Sequence, residues 1–264
     1  MASTLGQDLA PQPDHGRDVS ALAVGLAVAG LLAATVLFNP LLAIVNAQVV
    51  SLSGGVVAIA QAGLVAGALA LGVLGKQKLP LPWLLLTAVL VAANLLLALL
   101  RDEFNPKYLA DVITITAFIC VGTRLDLRRA LSAVVILQVL IAAVGVWELL
   151  NPESFASVFN PRSYYVNTRG LSDEAFWAGG DLYVSSVRAD GRLLLSWTDF
   201  HRGSSLFLEP VSLGNWTILV TIVLLTFWRE LASYQKALLI VGNVVGLCVC
   251  DGRLALVTNL VPVS

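Results

Sequence analysis

Long apolar runs separated by short charged links make up most of the 264-residue chain. Several runs approach or exceed about 18 residues, the length that an α-helix needs to cross the hydrocarbon core of a membrane. We therefore predict an all-α multi-span membrane protein with about seven transmembrane helices and one large structured loop. The predicted spans are residues 19–38, 54–75, 82–100, 108–122, 130–150, 211–228 and 237–250.

The segments between and beyond these runs divide the chain further. Residues 1–18 are polar and without a regular period, so we expect a disordered tail. The pair Asn39-Pro40 is expected to end the first span, because proline breaks a helix interior, and to leave 41–52 as a short interfacial segment. The last eleven residues, 254–264, are too few to cross a bilayer as a helix, which predicts a truncated product or a fragment. The predicted regions are the tail over 1–18, five spans over 19–150, the loop over 151–210, and two spans with a truncated end over 211–264.

Composition supports a membrane protein and argues against several other classes. The chain is 58% hydrophobic and 12% charged, about half the charged share of an ordinary soluble domain. Its net charge is −1 and it has no polybasic run, so we expect no nucleic-acid partner. The three cysteines lie in apolar runs at spacings that match no zinc or redox motif, and no nucleotide-binding or metal-binding motif occurs. We therefore predict neither a metal nor a cofactor.

The distribution of lysine and arginine in the short links predicts the orientation of the chain. With the N-terminus in the cytoplasm, eight such residues fall in the inner links and three in the outer ones. Because positive charge concentrates on the cytoplasmic side, the loop over 151–210 is predicted to lie outside. In a bacterium this is the periplasmic face of the inner membrane.

The loop has the composition of a folded segment. It holds ten of the chain's twenty aromatic residues, whereas flexible linkers are poor in them. Asn151-Pro152 is typical of a helix start, with Asn as the cap and Pro in the first turn, and the helix is expected to end before Asn160-Pro161. Residues 181–188 and 192–197 flank Ala189-Asp190-Gly191, which predicts a short hairpin.

Arginines and aromatic residues in this loop suggest a ligand that combines phosphate with sugar. The planar guanidinium grips phosphate oxygens through two parallel hydrogen bonds, and aromatic faces suit the apolar faces of sugar rings. The alternative is that the arginines pair with acids of the loop and only hold it together. The residues that we assign to substrate binding are Arg162, Arg169, Arg202, Arg253, Tyr164, Tyr165 and Trp177.

Two residues are candidates for proton transfer. His201 suits a general base or proton shuttle, because imidazole is the side chain type that exchanges protons most readily near neutral pH, although a surface or hydrogen-bonding histidine is the simpler interpretation. Glu209 precedes the sixth predicted span, where a carboxylate is costly unless it is paired, and a salt bridge with Arg202 is the alternative to a catalytic role. Arg253 could reach the same site from the end of the seventh span, or it could simply lie at the membrane interface.

Three motifs are similar to those of a known family. They are HRGSSLFLEPVSLGN from His201 to Asn215, DGRLAL from Asp251 to Leu256, and FNPLLAIVNA from Phe38 to Ala47. In sequence and order they resemble the bacterial O-antigen polymerase and ligase superfamily (Wzy-like), especially the exopolysaccharide polymerases. Members typically have more spans and a second large periplasmic loop, so the resemblance covers roughly the N-terminal half to two-thirds of a usual member.

The resemblance implies a metal-independent, inverting glycosyl transfer on the periplasmic face. An undecaprenyl-pyrophosphate-linked glycan would donate, and the terminal sugar of a second lipid-linked unit would accept. Arg202 and Arg253 would bind the donor pyrophosphate, and Glu209 or His201 would orient or deprotonate the acceptor hydroxyl. Membrane lipids, a chain-length regulator and export proteins are the expected partners. An O-antigen ligase, a non-enzymatic glycolipid transporter and an accessory subunit of an export complex are the alternatives.

Overall fold

The computed structural model describes residues 15–73, 81–101, 106–123, 126–176, 180–184, 186 and 201–260. In these ranges the chain is helical and contains no strand. Two short 3₁₀ turns, Asp173–Phe176 and Ser205–Phe207, accompany the α-helices. The α-helices are α1 His15–Gln48, α2 Gly54–Val73, α3 Leu81–Arg101, α4 Pro106–Gly122, α5 Leu127–Leu150, α6 Pro152–Phe159, α7 Pro161–Arg169, α8 Pro210–Thr226, α9 Ser233–Cys250 and α10 Arg253–Leu260.

Five of these helices are long and apolar enough to cross a membrane. They are α2, α3, α5, α9 and the part of α1 from Gly25 to Gln48. The apolar helices α4 and α8 have 17 residues each, and at 1.5 Å per residue they extend about 25 Å. The fold is therefore all-helical with five candidate spans, and the full set of seven remains a prediction.

The first helix differs from the prediction at Asn39-Pro40. Helix α1 continues through Pro40 to Gln48, so the expected stop and the separate interfacial segment after it are both wrong. A proline inside a helix removes one backbone hydrogen bond, and membrane helices tolerate this loss when neighbouring groups pack around the break. Here Ala43, one turn later, is completely buried in the core, so continuing the helix buries apolar surface.

The structure also differs from the predictions for the N-terminal tail, the hairpin and the C-terminal end. Residues 15–18 belong to α1, not to a tail, and residues 1–14 lie outside the described ranges. Residues 181–184 form turns where one arm of the hairpin was expected, and residues 187–200 are not described. After Arg253 the chain forms the short helix α10, which packs on α8.

The two loop helices are built from the same local signal. Asn151 accepts a hydrogen bond from the backbone N–H of Ser154 at 3.0 Å, and Pro152 opens α6 as expected. Asn160 then repeats the arrangement, accepting from Ser163 N–H at 2.9 Å with Pro161 in the first turn of α7. The Asn160-Pro161 pair therefore ends one helix and starts the next, and only the first of these roles was predicted.

The centre of the fold is the packing of α5 against α9. An added Cβ at Gly242 would lie 2.8 Å from Gln138, and one at Gly145 would lie 3.2 Å from Val249, so glycines allow these helices to approach closely. By contrast, α3 contains no buried residue and packs mainly on α4. Its exposed leucines are what a lipid-facing helix presents to hydrocarbon.

A polar cluster joins the last three helices. The Asn243 amide of α9 donates to Thr221 of α8 at 2.8 Å and to Asn259 of α10 at 3.1 Å. The Asn259 amide donates to Thr217 at 3.3 Å. Polar side chains between apolar helices stabilise their association, so this cluster holds α10 against the bundle.

Candidate functional site

A buried carboxylate, Glu148, lies near the C-terminal end of α5. Its side chain is fully buried and accepts backbone N–H bonds from Ser204 at 2.7 Å and Ser205 at 2.6 Å. The Ser204 hydroxyl donates to the same carboxylate at 3.1 Å, and His201 Nε2 lies 3.7 Å from it. Three donors and a nearby imidazole offset the cost of burying this charge, so Glu148 fixes the segment 201–205 to α5.

The segment 201–205 is also held by the end of α9. Arg202 is buried, and its Nε–H donates to the Cys250 carbonyl at 3.1 Å. The Gly203 N–H donates to the Val249 carbonyl at 2.8 Å. A cation stabilises the negative end of the dipole at a helix C-terminus. Arg202 therefore stabilises the end of α9 and also joins α9 to the segment 201–205. We call the contacts of Glu148, the segment 201–205 and residues 249–250 the α5–α9 joint.

The helix α7 places a second group of residues beside α1. Its contact with α1 is polar: Asn46 donates to the Ser163 hydroxyl at 3.1 Å and accepts from the Asn167 amide at 3.2 Å. The Asn167 amide also donates to the Ser51 hydroxyl at 3.0 Å. These bonds connect α7 to the end of α1 and so determine where Tyr164 and Arg169 lie.

A cavity of about 460 Å³ lies between α1, α2, α4 and α7. Apolar side chains of the helices form part of its wall, and Arg169, which is exposed, contributes a cation. The Tyr164 hydroxyl donates to Asn39 Oδ1 at 3.1 Å on the same wall. The remaining polar lining consists of Thr35, Gln61, Thr114 and Thr168. The cavity therefore combines hydroxyl and amide groups with one positive charge.

A row of aromatic rings extends from this cavity to Glu209. The Arg169 guanidinium lies 4.6 Å from the centre of the Tyr165 ring, and that ring lies 4.9 Å from the ring of Tyr183. The Tyr183 hydroxyl is 3.5 Å from Glu209 Oε1, and Ser212 donates to Glu209 Oε2 at 3.1 Å. Burial raises the pKa of Tyr165 and of Tyr183, so both phenols stay protonated at neutral pH. We call Arg169, Tyr165, Tyr183 and Glu209 the outer row.

Arg162 makes an ion pair at the surface of α7. Its Nε–H donates to Asp173 Oδ1 at 2.8 Å and its Nη2–H to Oδ2 at 3.0 Å, while Asp181 lies 3.9 Å away. The hydrogen bonds from Arg162 lower the pKa of the Asp173 carboxyl below its ordinary value of 3.8. For Arg162, the interpretation of an arginine that pairs with acids of the loop is thus supported.

We expect Arg162→Gln to raise the pKa of Asp173 back toward 3.8. A lowered pKa in the folded state means that the pair stabilises the fold above the ordinary pKa, and that this contribution is lost as pH falls through the folded value. Carbon-13 NMR of labelled aspartate carboxyls measures the titration directly. Arg169→Gln is the control and should leave the pKa of Asp173 unchanged; an equal shift in both variants would contradict the assignment.

The predicted site residues therefore fall into separate groups. Tyr164 and Arg169 line the cavity, and Tyr165 connects them to Glu209 through the outer row. His201 and Arg202 belong to the α5–α9 joint, where they are largely inaccessible to a ligand. The remaining three are Arg162, which pairs with Asp173, Arg253, which is exposed at the start of α10, and Trp177, which lies outside the described residues.

Three important residues were missed from the sequence. Glu148 lies inside the fifth predicted span, and a carboxylate within an apolar run is a recognisable signal of a paired or functional group. Asn39 and Gln61 are likewise polar positions in apolar segments. Within the described ranges, no three His, Cys, Asp or Glu side chains come together in a way that could hold a metal ion.

Comparisons with protein-family models, with curated proteins and with solved structures find no match. The motif resemblance to polysaccharide polymerases therefore stays a prediction.

Proposed function

We propose that this chain is a polysaccharide polymerase-like glycosyltransferase of a bacterial inner membrane. It would join glycan units linked to undecaprenyl pyrophosphate on the periplasmic face, with α4 and α8 as its two shorter spans and the N-terminus in the cytoplasm. The observation that carries the proposal is the cavity at Arg169, because it places a cation, hydroxyls and amides against α1 and α2, two helices long and apolar enough to cross a membrane.

The cavity suits the head of a lipid-linked glycan. The Arg169 guanidinium lies 4.6 Å from the centre of the Tyr165 ring and the residue is exposed, so its N–H groups can reach the phosphate oxygens of a ligand. Asn39, Gln61 and Thr168 supply neutral donors and acceptors of the kind that sugar hydroxyls pair with. A soluble nucleotide sugar does not need a site between membrane helices, whereas a donor anchored in the bilayer does.

The outer row supplies a base for the transfer step. In this step the acceptor hydroxyl oxygen attacks the anomeric carbon of the donor, and its proton passes to Glu209. The bond between that carbon and the pyrophosphate oxygen breaks, and its electron pair leaves with the pyrophosphate. Arg169 stabilises the charge that develops on the leaving group. Attack opposite the leaving group inverts the configuration at the anomeric carbon.

Polymer length in a deletion strain tests the proposal. With Arg169→Gln or Glu209→Gln as the complementing gene, we expect short or no polymer, with a loss of at least about a hundredfold in transfer for Glu209→Gln, because glutamine cannot accept the proton. Arg128→Gln is the control, since this arginine is exposed at the first turn of α5, away from the cavity. Protein levels are compared by immunoblot.

The position of accumulated repeat units separates the alternatives. Single units on the periplasmic side in the Arg169 and Glu209 variants support polymerisation, whereas units retained on the cytoplasmic side support a transporter. Polymer of normal length in both variants, at normal protein levels, would rule out the site assignment.

A further inference from the structure

A second concave surface continues from the cavity along the membrane helices. This groove, of about 600 Å³, lies between α2 and α4. It shares Ala58, Gln61, Val65 and Thr114 with the lining of the cavity, so the two spaces adjoin each other.

The groove has the dimensions and the lining of a hydrocarbon-chain site. Along α2 it extends from Ala58 to Leu69, which is about 17 Å at 1.5 Å per residue and more than half of a hydrocarbon core of roughly 30 Å. Ala62 and Ala66 lie between these ends, and their small side chains leave space that larger residues would fill. Both alanines are exposed on the helix surface, so the groove opens sideways toward lipid and not only toward the loop.

The charged side chains of the cavity and the groove limit the ligands that can occupy both. Arg169 contributes a positive charge to the cavity, but Asp111, which is exposed on α4, contributes a negative charge to the adjoining groove. A simple lipid phosphate would meet attraction at the first residue and repulsion at the second. A lipid phosphate that carries hydroxyl or amine donors close to the phosphate satisfies both, because Asp111 then accepts a hydrogen bond from the ligand.

We infer that the groove between α2 and α4 holds the hydrocarbon chain of a glycosylated lipid phosphate that enters sideways from the bilayer, and that Asp111 is the residue that distinguishes it from the bare lipid phosphate. This inference rests on the proposed function and names the part of the ligand that the site recognises. Gln61 and Thr114, which line both spaces, lie where the phosphate joins the chain.

Direct binding of two defined lipids tests the inference. The full chain in lipid nanodiscs is titrated with decaprenyl pyrophosphate and with decaprenyl pyrophosphate bearing one N-acetylglucosamine, each with a photoreactive group on the chain. We expect wild type to bind the glycosylated lipid about tenfold more tightly, which corresponds to one charge-assisted hydrogen bond. Asp111→Asn should reduce this preference to less than about twofold, and Arg169→Gln should weaken both lipids by about tenfold.

A tryptophan that fills the groove is compared with a tryptophan elsewhere on α2. Ala62→Trp should abolish photolabelling by both lipids, whereas Val56→Trp, at an exposed position of α2 that lines neither the cavity nor the groove, should leave labelling unchanged. Equal binding of the two lipids by wild type, or full labelling of the Ala62→Trp variant, would overturn the inference.

Failure of the lipid-site inference can be distinguished from failure of the proposed transferase function. If the lipid preference and its loss in Asp111→Asn are observed while polymer length is normal in Arg169→Gln and Glu209→Gln cells, the lipid site stands and the transferase role fails. If polymer length changes in those cells but wild type binds both lipids equally, the transferase role stands and the role of Asp111 fails.

Discussion

Glu148→Ala is expected to lower the free energy of unfolding by about 3 kcal/mol or more, because it leaves buried donors without an acceptor. The backbone N–H groups of Ser204 and Ser205 both point at this carboxylate, from 2.7 and 2.6 Å. Neither group can turn to water, since both serines are buried. Thermal unfolding of the purified protein in one detergent measures the loss.

A second variant of Glu148 shows whether its acceptor oxygens or its charge matter more, and a variant of an exposed glutamate serves as the control. Glu148→Gln keeps one acceptor oxygen for the two N–H groups and offers its amide to the Ser204 hydroxyl, so we expect a smaller loss, about 1–2 kcal/mol. Glu153→Ala is the control, since that glutamate is exposed in the first turn of α6, and it should change stability by less than about 0.5 kcal/mol. Equal stability of the Glu148→Ala and Glu153→Ala variants would contradict the role of the joint.

The Asn-Pro dipeptides that begin at Asn39, Asn151 and Asn160 explain how far the sequence predicts the fold. At Asn151 and Asn160 the side chain caps a new helix, and the prediction of a boundary is confirmed. At Asn39 the side chain instead accepts from Tyr164, 125 residues away, and the helix continues. Local propensity gives the first two outcomes, whereas the third depends on a tertiary contact that the local sequence does not contain.

The candidate site was harder to predict for a similar reason. Apolar runs located the other long helices within a few residues, since hydrophobic length is a local property, but they did not predict that α1 continues to Gln48. The cavity, however, is assembled from Asn39, Gln61, Thr114 and Arg169, which lie on four different helices. The joint pairs Glu148 with Ser204 across 56 residues. Without the relative positions of the helices, the sequence indicates that these groups are unusual but not which of them meet.

Gly203→Ala tests the α5–α9 joint within the segment 201–205. A Cβ at this position would lie 2.5 Å from Val249 Cγ1 and 3.2 Å from Glu148 Oε2, so it would press on α9 and α5 together. The Gly203 N–H bond to the Val249 carbonyl, 2.8 Å long, prevents the segment from moving away without losing that bond. Overpacking of this kind costs about 1–3 kcal/mol, and we expect the variant at the upper end of that range.

Gly63→Ala is the matched control, because it makes the same chemical change in α2 where an added Cβ meets no atom within 4 Å. Alanine is the better helix former by up to about 1 kcal/mol, so this variant should unfold at the same or a higher temperature than wild type. Similar melting temperatures for the two variants would contradict the expected overpacking at Gly203.

In the double variant Glu148→Ala with Gly203→Ala, the Val249 clash remains, but the Glu148 contact is gone. The double variant should therefore lose less stability than the sum of the two single losses, since both substitutions act on the same contact.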